Sequence, residues 1–250
     1  MFTTVIFDLD DTLYDEIDYC RSGFHAVSRH LAESRKITAD KIFDTLWQQF
    51  TAGNHTKTFN AALENLGISF DDIFIAKLVD VYRSHTPEIT LPPDSKTVLE
   101  QLAGKYVLGL LTDGFLPAQQ LKVRALGIEK YFKCIIYTEQ LGRQFWKPSP
   151  AGFQKLLESL NENSQNAVYI ADNPQKDFIA PNGLGILTVR IIRPAGLHKD
   201  LSAICKADLS AICKADLSAI RKADLPDVPS TAAQLTIRQI AQLPDLLKKL

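Results

Sequence analysis

The sequence predicts an α/β protein in which a parallel sheet carries helices on both faces and is interrupted early by an all-helical insert. Three observations carry this expectation. The apolar run Thr4-Val5-Ile6-Phe7 stops abruptly at Asp8, Asp10 and Asp11, as a buried parallel strand does when it reaches the ligand-binding edge of an open sheet. Beyond Pro92 the signals for helix and strand alternate, the pattern of consecutive β-α units. Between Tyr14 and Pro92 three- and four-residue spacing of apolar residues dominates, and strand signals are absent.

The first strand also bears the first functional signal. Side chains alternate along a strand, so Asp8 and Asp10 point one way and Leu9 the other. Two carboxylates placed together repel unless a cation or a shared proton relieves them. A purely structural use of this stretch is a capped turn, with Asp11 or Thr12 as the N-cap.

In the insert, the segments 17–34, 38–52, 56–66 and 70–84 have helical spacing, exemplified by Phe24, Val27 and Leu31 and then by Ile42, Leu46 and Phe50. Thr38 starts one helix. Ser69 precedes another whose first turn carries Asp71 and Asp72, where the helix dipole favours acids. Leu91-Pro92-Pro93 closes the block.

The core then unfolds in order: helix 94–103, strand 106–112, helix 117–126, strand 133–138, helix 150–160, strand 166–171, a short helix near 175–182 and strand 185–191. These make a parallel sheet core, residues 1–14 and 92–250, into which the helical segment, residues 15–91, is inserted. The tail, Leu235 to Leu250, reads as a closing amphipathic helix. Residues 200–223 are a tandem repeat of Asp-Leu-Ser-Ala-Ile-Cys-Lys-Ala, with Arg221 in place of Cys in the third copy. An eight-residue period overshoots two helical turns by ~80°, so its Leu and Ile residues spiral round the axis and form no single stripe. A surface insertion within the C-terminal part of the core is the expectation, with a partner-binding arm as the functional alternative.

Bulk properties narrow the function classes. The 250 residues are 46% hydrophobic and 23% charged, with a formal net charge of -1. This gives no basic footprint for nucleic acid and no polybasic membrane surface. The longest apolar runs fall short of the ~20 residues a bilayer span needs, and acids arrive too early for a signal peptide. The four cysteines lack zinc or redox spacing, so reduced thiols in a cytoplasmic protein are expected. The expected state is a monomer or homodimer.

Other strands end in polar residues. Strand two ends Leu111-Thr112-Asp113-Gly114, strand three is followed by Trp146-Lys147-Pro148, and strand four ends in Asp172-Asn173-Pro174 with Asp177 five residues after Asp172. In a parallel sheet all carboxyl ends share one edge, so these residues can converge with Asp8 and Asp10.

In order and spacing, Asp8-Leu9-Asp10-Asp11-Thr12, Leu111-Thr112-Asp113-Gly114, Lys147-Pro148 and Asp172 to Asp177 resemble the four motifs of the haloacid dehalogenase superfamily. The helical insert, residues 15–91, resembles the α-helical cap of its first cap class, and the resemblance implies a Rossmann-like catalytic core for residues 1–14 and 92–250. The resemblance covers roughly residues 2–192 and leaves the repeat outside. It implies Asp8 as nucleophile, Asp10 as general acid and base, and Mg²⁺ held by Asp8, the Asp10 backbone carbonyl and Asp172. Asp177 would orient a metal-bound water or Lys147. Thr112, Asp113, Gly114 and Lys147, with Asp8, would contact the phosphate. Dehalogenases need no acid at the second position, because halide leaves without a proton. Asp10 therefore implies phosphate-ester hydrolysis on a small phosphorylated metabolite. A phosphomutase of the same fold and a non-catalytic binding protein using the repeat are the alternatives. Two departures stand out: Asp113 occupies the place of a usual Asn, and Ala171 that of a usual Gly. In the cap, Arg21, His25, His55, Lys57 and Arg83 are candidate substrate contacts.

Overall fold

The computed structural model describes residues 1–194, 196 and 231–250. The 200–223 repeat lies outside these described residues. The fold is built on a parallel six-stranded sheet of order β3-β2-β1-β4-β5-β6. The strands are β1 (Thr4–Phe7), β2 (Val107–Thr112), β3 (Cys134–Tyr137), β4 (Ala167–Ala171), β5 (Leu187–Ile191) and β6 (Leu235–Ile237). β1 lies between β2 and β4, with Val5 opposite Leu108 on one side and Val168 on the other. All four of its residues are buried, which is why Val5, Ile6 and Phe7 follow one another without a polar break.

The helices are α1 (Glu16–Ala32), α2 (Ala39–Thr51), α3 (Thr58–Asn65), α4 (Asp72–Ser84), α5 (Pro93–Ala103), α6 (Ala118–Leu126), α7 (Ala151–Leu160), α8 (Ile179–Gly183) and α9 (Leu243–Lys249). They form where expected to within a few residues, and local chemistry explains the ends. The Thr38 hydroxyl accepts from Lys41 N at the start of α2. At α4 the cap is Asp71, whose Oδ1 accepts from Phe74 N at 2.8 Å; Ser69 stands too far upstream. Pro93 opens α5, where a missing N–H costs nothing.

Two expectations are corrected. The 235–250 tail is not one helix: Leu235–Ile237 pairs with β5 as the edge strand, and only Leu243–Lys249 is α-helical. Leu235, Thr236 and Ile237 are all buried, and a three-residue strand has too little length for periodicity to reveal it. The short helix after β4 starts at Ile179, not near 175. An Asx turn precedes it, in which Asn173 Oδ1 accepts from Gln175 N at 2.9 Å.

The chain divides into two compact units. The first comprises Met1–Glu16, Thr90–Gly114 and Leu126–Leu250. One sheet face, with Ile6, Leu111 and Tyr169, packs against Phe153, Leu156 and Leu157 of α7 and against Phe178. Gly109 makes room for this helix, since a Cβ there would lie 2.9 Å from Leu156 Cδ2. α5 packs against β2 and α9.

The second unit comprises Ile17–Ile89 and Phe115–Ala125. Its core is Phe24, Val27 and Leu31 of α1, Ile42, Leu46 and Phe50 of α2, Ala62 and Leu63 of α3 and Leu78 of α4. These are the stripes the sequence shows. Phe24 lies edge-on to Trp47, Phe50 and Phe59, an arrangement aromatic rings favour.

Candidate active site

The strand order decides where the acids meet. Asp8 follows the central strand β1, Thr112 ends β2 on one side, and Asp172 follows β4 on the other. The β1 ladder continues one residue further, with Asp8 N donating to Ile170 O at 2.9 Å. This aims the Asp8 carboxylate out of the carboxyl edge. The chain then turns sharply. Leu13 N donates to Leu9 O at 3.0 Å, and Asp11 adopts a left-handed φ of 50°, which Asp tolerates better than most residues. Asp11 Oδ1 accepts from Glu16 N, the first residue of α1, at 2.8 Å, so Asp11 ties the turn to the start of the helix from outside the N-cap position.

Lys147 is the centre of the site. Its ammonium lies 2.9 Å from Asp8 Oδ1 and 2.7 Å from Asp177 Oδ1, and it donates to Tyr169 Oη at 3.0 Å. Three partners satisfy the three donors of a lysine. The side chain is 1% exposed, a burial that requires pairing. Asp177 is fixed in turn by Asn173 N, which donates to Oδ2 at 2.9 Å, and by the Tyr169 hydroxyl at 3.3 Å. The repulsion foreseen between Asp8 and Asp10 is thus relieved otherwise than by a shared proton. Asp8 takes Lys147, while Asp10 Oδ1 accepts from the Tyr14 hydroxyl. Asp10 is half-buried.

Ligand atoms of Asp8, Asp172 and Asp177 all lie within 4.8 Å of one another. Three buried carboxylates with one ammonium among them leave an excess of negative charge. Burial pushes Asp8 up to about 6, with Lys147 opposing and Asp177 adding to the rise. Burial also lifts Asp172 well above the ordinary carboxylate range, reinforced by Asp177 and Asp8. Burial works against the Lys147 charge, yet Asp177 and Asp8 hold its pKa well above the ordinary lysine value. A hard divalent cation suits this donor set, because such ions take carboxylate oxygens and retain water.

On the other flank, the buried Thr112 hydroxyl donates to Asp113 O at 3.4 Å. Gly114 has a φ of 142°, a conformation that a side chain would strain. The Asp113 carboxylate accepts Thr138 Oγ1 at 2.7 Å, and Lys147 N donates to its two oxygens at 3.3 and 3.1 Å. The residue that departs from the usual Asn therefore ties the strand-two motif to the lysine loop. Tyr169, Lys176 and Thr138 are contributors that the sequence did not single out. A tyrosine within a buried strand and a lysine within a polar turn carry no signal of their own.

Four of the five candidates in the helical insert lie against aromatic rings of their own unit. Arg21 lies over the Trp47 ring at 4.9 Å, Arg83 over Phe115 at 3.4 Å, and His25 stacks on Phe43 at 3.9 Å. His55 lies 4.8 Å from the Phe50 ring. Lys57 is exposed.

A family model of the haloacid dehalogenase-like hydrolases matches residues 2–185. The chain belongs to this family. Among curated relatives of this hydrolase, the glyceraldehyde 3-phosphate phosphatase of Methanopyrus kandleri is 28% identical over 208 residues, 80% of this chain and 88% of the relative. The enzyme of the same name from Methanocaldococcus jannaschii is 29% identical over 214 residues, 80% and 89% of the two chains. Among solved structures, a 2-haloacid dehalogenase from Pseudomonas syringae pv. tomato superposes with a TM-score of 0.59 at 24% identity, covering 100% of this chain and 99% of that one. That likeness shows the shared fold. Among the described residues, no helix is long and apolar enough to cross a membrane.

Proposed function

We propose that this hydrolase is a Mg²⁺-dependent phosphomonoesterase that works through an aspartyl-phosphate on Asp8. The observation that carries the reading is the Asp8 carboxylate at the end of the central strand, paired with a buried Lys147 and flanked by Asp172 and Asp177. The phosphatase names of the relatives support it.

Asp8 and Asp172, with the Asp10 backbone carbonyl, would hold Mg²⁺, while Asp177 stays committed to Lys147. When bound, the ion neutralises the phosphate dianion and polarises it for displacement. An Asp8 oxygen attacks phosphorus as the bond to the leaving oxygen breaks, and Asp10 donates the proton that the leaving alkoxide takes up. Asp10 then removes a proton from water as the water attacks the aspartyl-phosphate. The P–O bond to Asp8 breaks and inorganic phosphate leaves. The Lys147 ammonium faces charge that grows on the transferring group, and the Thr112 hydroxyl and nearby backbone N–H groups are donors for the phosphoryl oxygens.

The substrate class is a small phosphorylated metabolite, with glyceraldehyde 3-phosphate first in the panel to be tried. The helical unit interrupts the chain directly after the Asp8 turn, and Phe115–Ala125 joins it directly after Gly114. These connections support a role as the cap that selects substrate. Cysteines without paired spacing support a reducing, cytoplasmic setting.

The test is hydrolysis of p-nitrophenyl phosphate and a metabolite-phosphate panel with Mg²⁺, beside Asp8→Asn and an EDTA control. Turnover lost in both controls is expected. Undiminished turnover in Asp8→Asn rules out the nucleophile assignment. A panel that stays silent while Mg²⁺ binds refutes the enzymatic reading.

A further inference from the structure

Asp113 and Lys176 form a charge pair that the reaction above does not use. Lys176 Nζ lies 3.5 Å from Asp113 Oδ2. The two ends of the pair differ in setting: the Asp113 side chain is 3% exposed and the Lys176 side chain 36%. The carboxylate is already fixed from behind by the Thr138 hydroxyl and by Lys147 N. Those donors are neutral and leave its charge in place. The acid is therefore the buried support, and the ammonium is the accessible end.

Lys176 also belongs to the electrostatic neighbourhood of Asp8. Its charge lowers the Asp8 pKa, and Lys147 repels it. Geometry ties both lysines to one carboxylate: Asp113 Oδ2 accepts from Lys147 N at 3.1 Å and lies 3.5 Å from Lys176 Nζ, so Lys176 stands beside the strand-two motif that the reading above assigns to the phosphate. The Asp113 charge would by itself disfavour a phosphate group nearby, and Lys176 reverses that effect.

We propose that Lys176, steadied by Asp113, is a second ammonium contact for the phosphate group beside Lys147, and that it sets the affinity of the site for a phosphate dianion. The proposal rests on the phosphatase reading. Asp113 is a positioning residue in it. An Asn at 113 that keeps its oxygen toward Thr138 turns its amide N–H₂ toward both Lys147 N and the Lys176 ammonium, donor against donor.

The test compares wild type, Lys176→Met, Lys176→Arg and Asp113→Asn, all with Mg²⁺. Two quantities are read: kcat and KM for p-nitrophenyl phosphate, and the Kd of inorganic phosphate by calorimetry. Loss of one charge-assisted hydrogen bond predicts that Lys176→Met raises KM and the phosphate Kd about tenfold or more, with a smaller fall in kcat. Lys176→Arg should restore most of the affinity, and Asp113→Asn should weaken phosphate binding in the same direction. A Lys176→Met protein that melts earlier but keeps both constants within about twofold of wild type has lost only structure, and this overturns the proposal while hydrolysis by wild type stands. Wild type that binds phosphate without turnover, and binds it more weakly as Lys176→Met, supports the contact and refutes the catalytic reading. Wild type that binds no phosphate overturns both.

Discussion

Replacing Lys147 with Met removes the only cation within 3 Å of Asp8 and Asp177 among the described residues. The stem volume is nearly kept, so the perturbation is one of charge. It leaves Asp8, Asp172 and Asp177 buried with ligand atoms within 4.8 Å of one another. Breaking a buried ion pair by removing one partner costs about 3–5 kcal/mol, because the other charge is left uncompensated. For a chain of this size, roughly 2–4 °C of melting temperature follow each kcal/mol, so a fall of about 6–20 °C is expected in metal-free protein at pH 8. The loss should shrink toward pH 5. The raised carboxylates take up protons in the folded state as pH falls through their folded values, which for Asp8 is about 6, and protonation removes the repulsion that Lys147 had balanced. The assay is thermal unfolding of both proteins with EDTA between pH 5 and 8. Adding Asp8→Asn to Lys147→Met should recover part of the loss, since one of the uncompensated charges is then gone. A melting temperature within about 2 °C of wild type at pH 8, or a loss independent of pH, refutes the reasoning.

Two further outcomes are expected. In wild type without metal, Asp8 and Asp172 contribute stability below the ordinary carboxylate range that is lost as pH rises through their raised folded values, about 6 for Asp8. Mg²⁺ should therefore raise the melting temperature more at pH 8 than at pH 5, where protons compete for the same oxygens; equal shifts at both pH values would count against a carboxylate site. In the helical unit, a Cβ on Gly23 would lie 2.4 Å from the Tyr82 ring, so Gly23→Ala should cost about 1–3 kcal/mol in a denaturant titration. An unchanged midpoint would show that the ring moves aside freely.

Much of the fold was legible because burial writes itself into residue choice. Val5, Ile6 and Phe7 are apolar in succession since both faces of β1 are covered, and Ile42, Leu46 and Phe50 recur at helical spacing since one face of α2 is buried. β6 was missed because three residues hold no measurable period, and its partner β5 ends more than forty residues earlier in the chain. The start of α4 lies two residues beyond the expected one, with Asp71 as the N-cap and not in the first turn, because Ser and Asp both cap helices and only backbone conformation separates them.

The site divides in the same way. Asp8, Asp10, Thr112, Lys147, Asp172 and Asp177 could be picked out as candidates from the sequence, since they stand at or shortly after the carboxyl ends of successive strands, which share one edge of a parallel sheet. Pairing needed the third dimension. The strand order brings β4 beside β1 and β2 beside β3, and that order alone makes Lys147 a neighbour of Asp8 across 139 residues of chain. It also makes Tyr169 a support for Lys147 and turns Asp113 into the anchor of Lys147 N and of Lys176. The sequence by itself determined which residues could do chemistry, because side-chain charge and local period are properties of short stretches. The tertiary structure decided which charge answers which, because an ammonium and a carboxylate stabilise each other only when the crossovers of the sheet bring them within a few ångströms in a place that water does not reach.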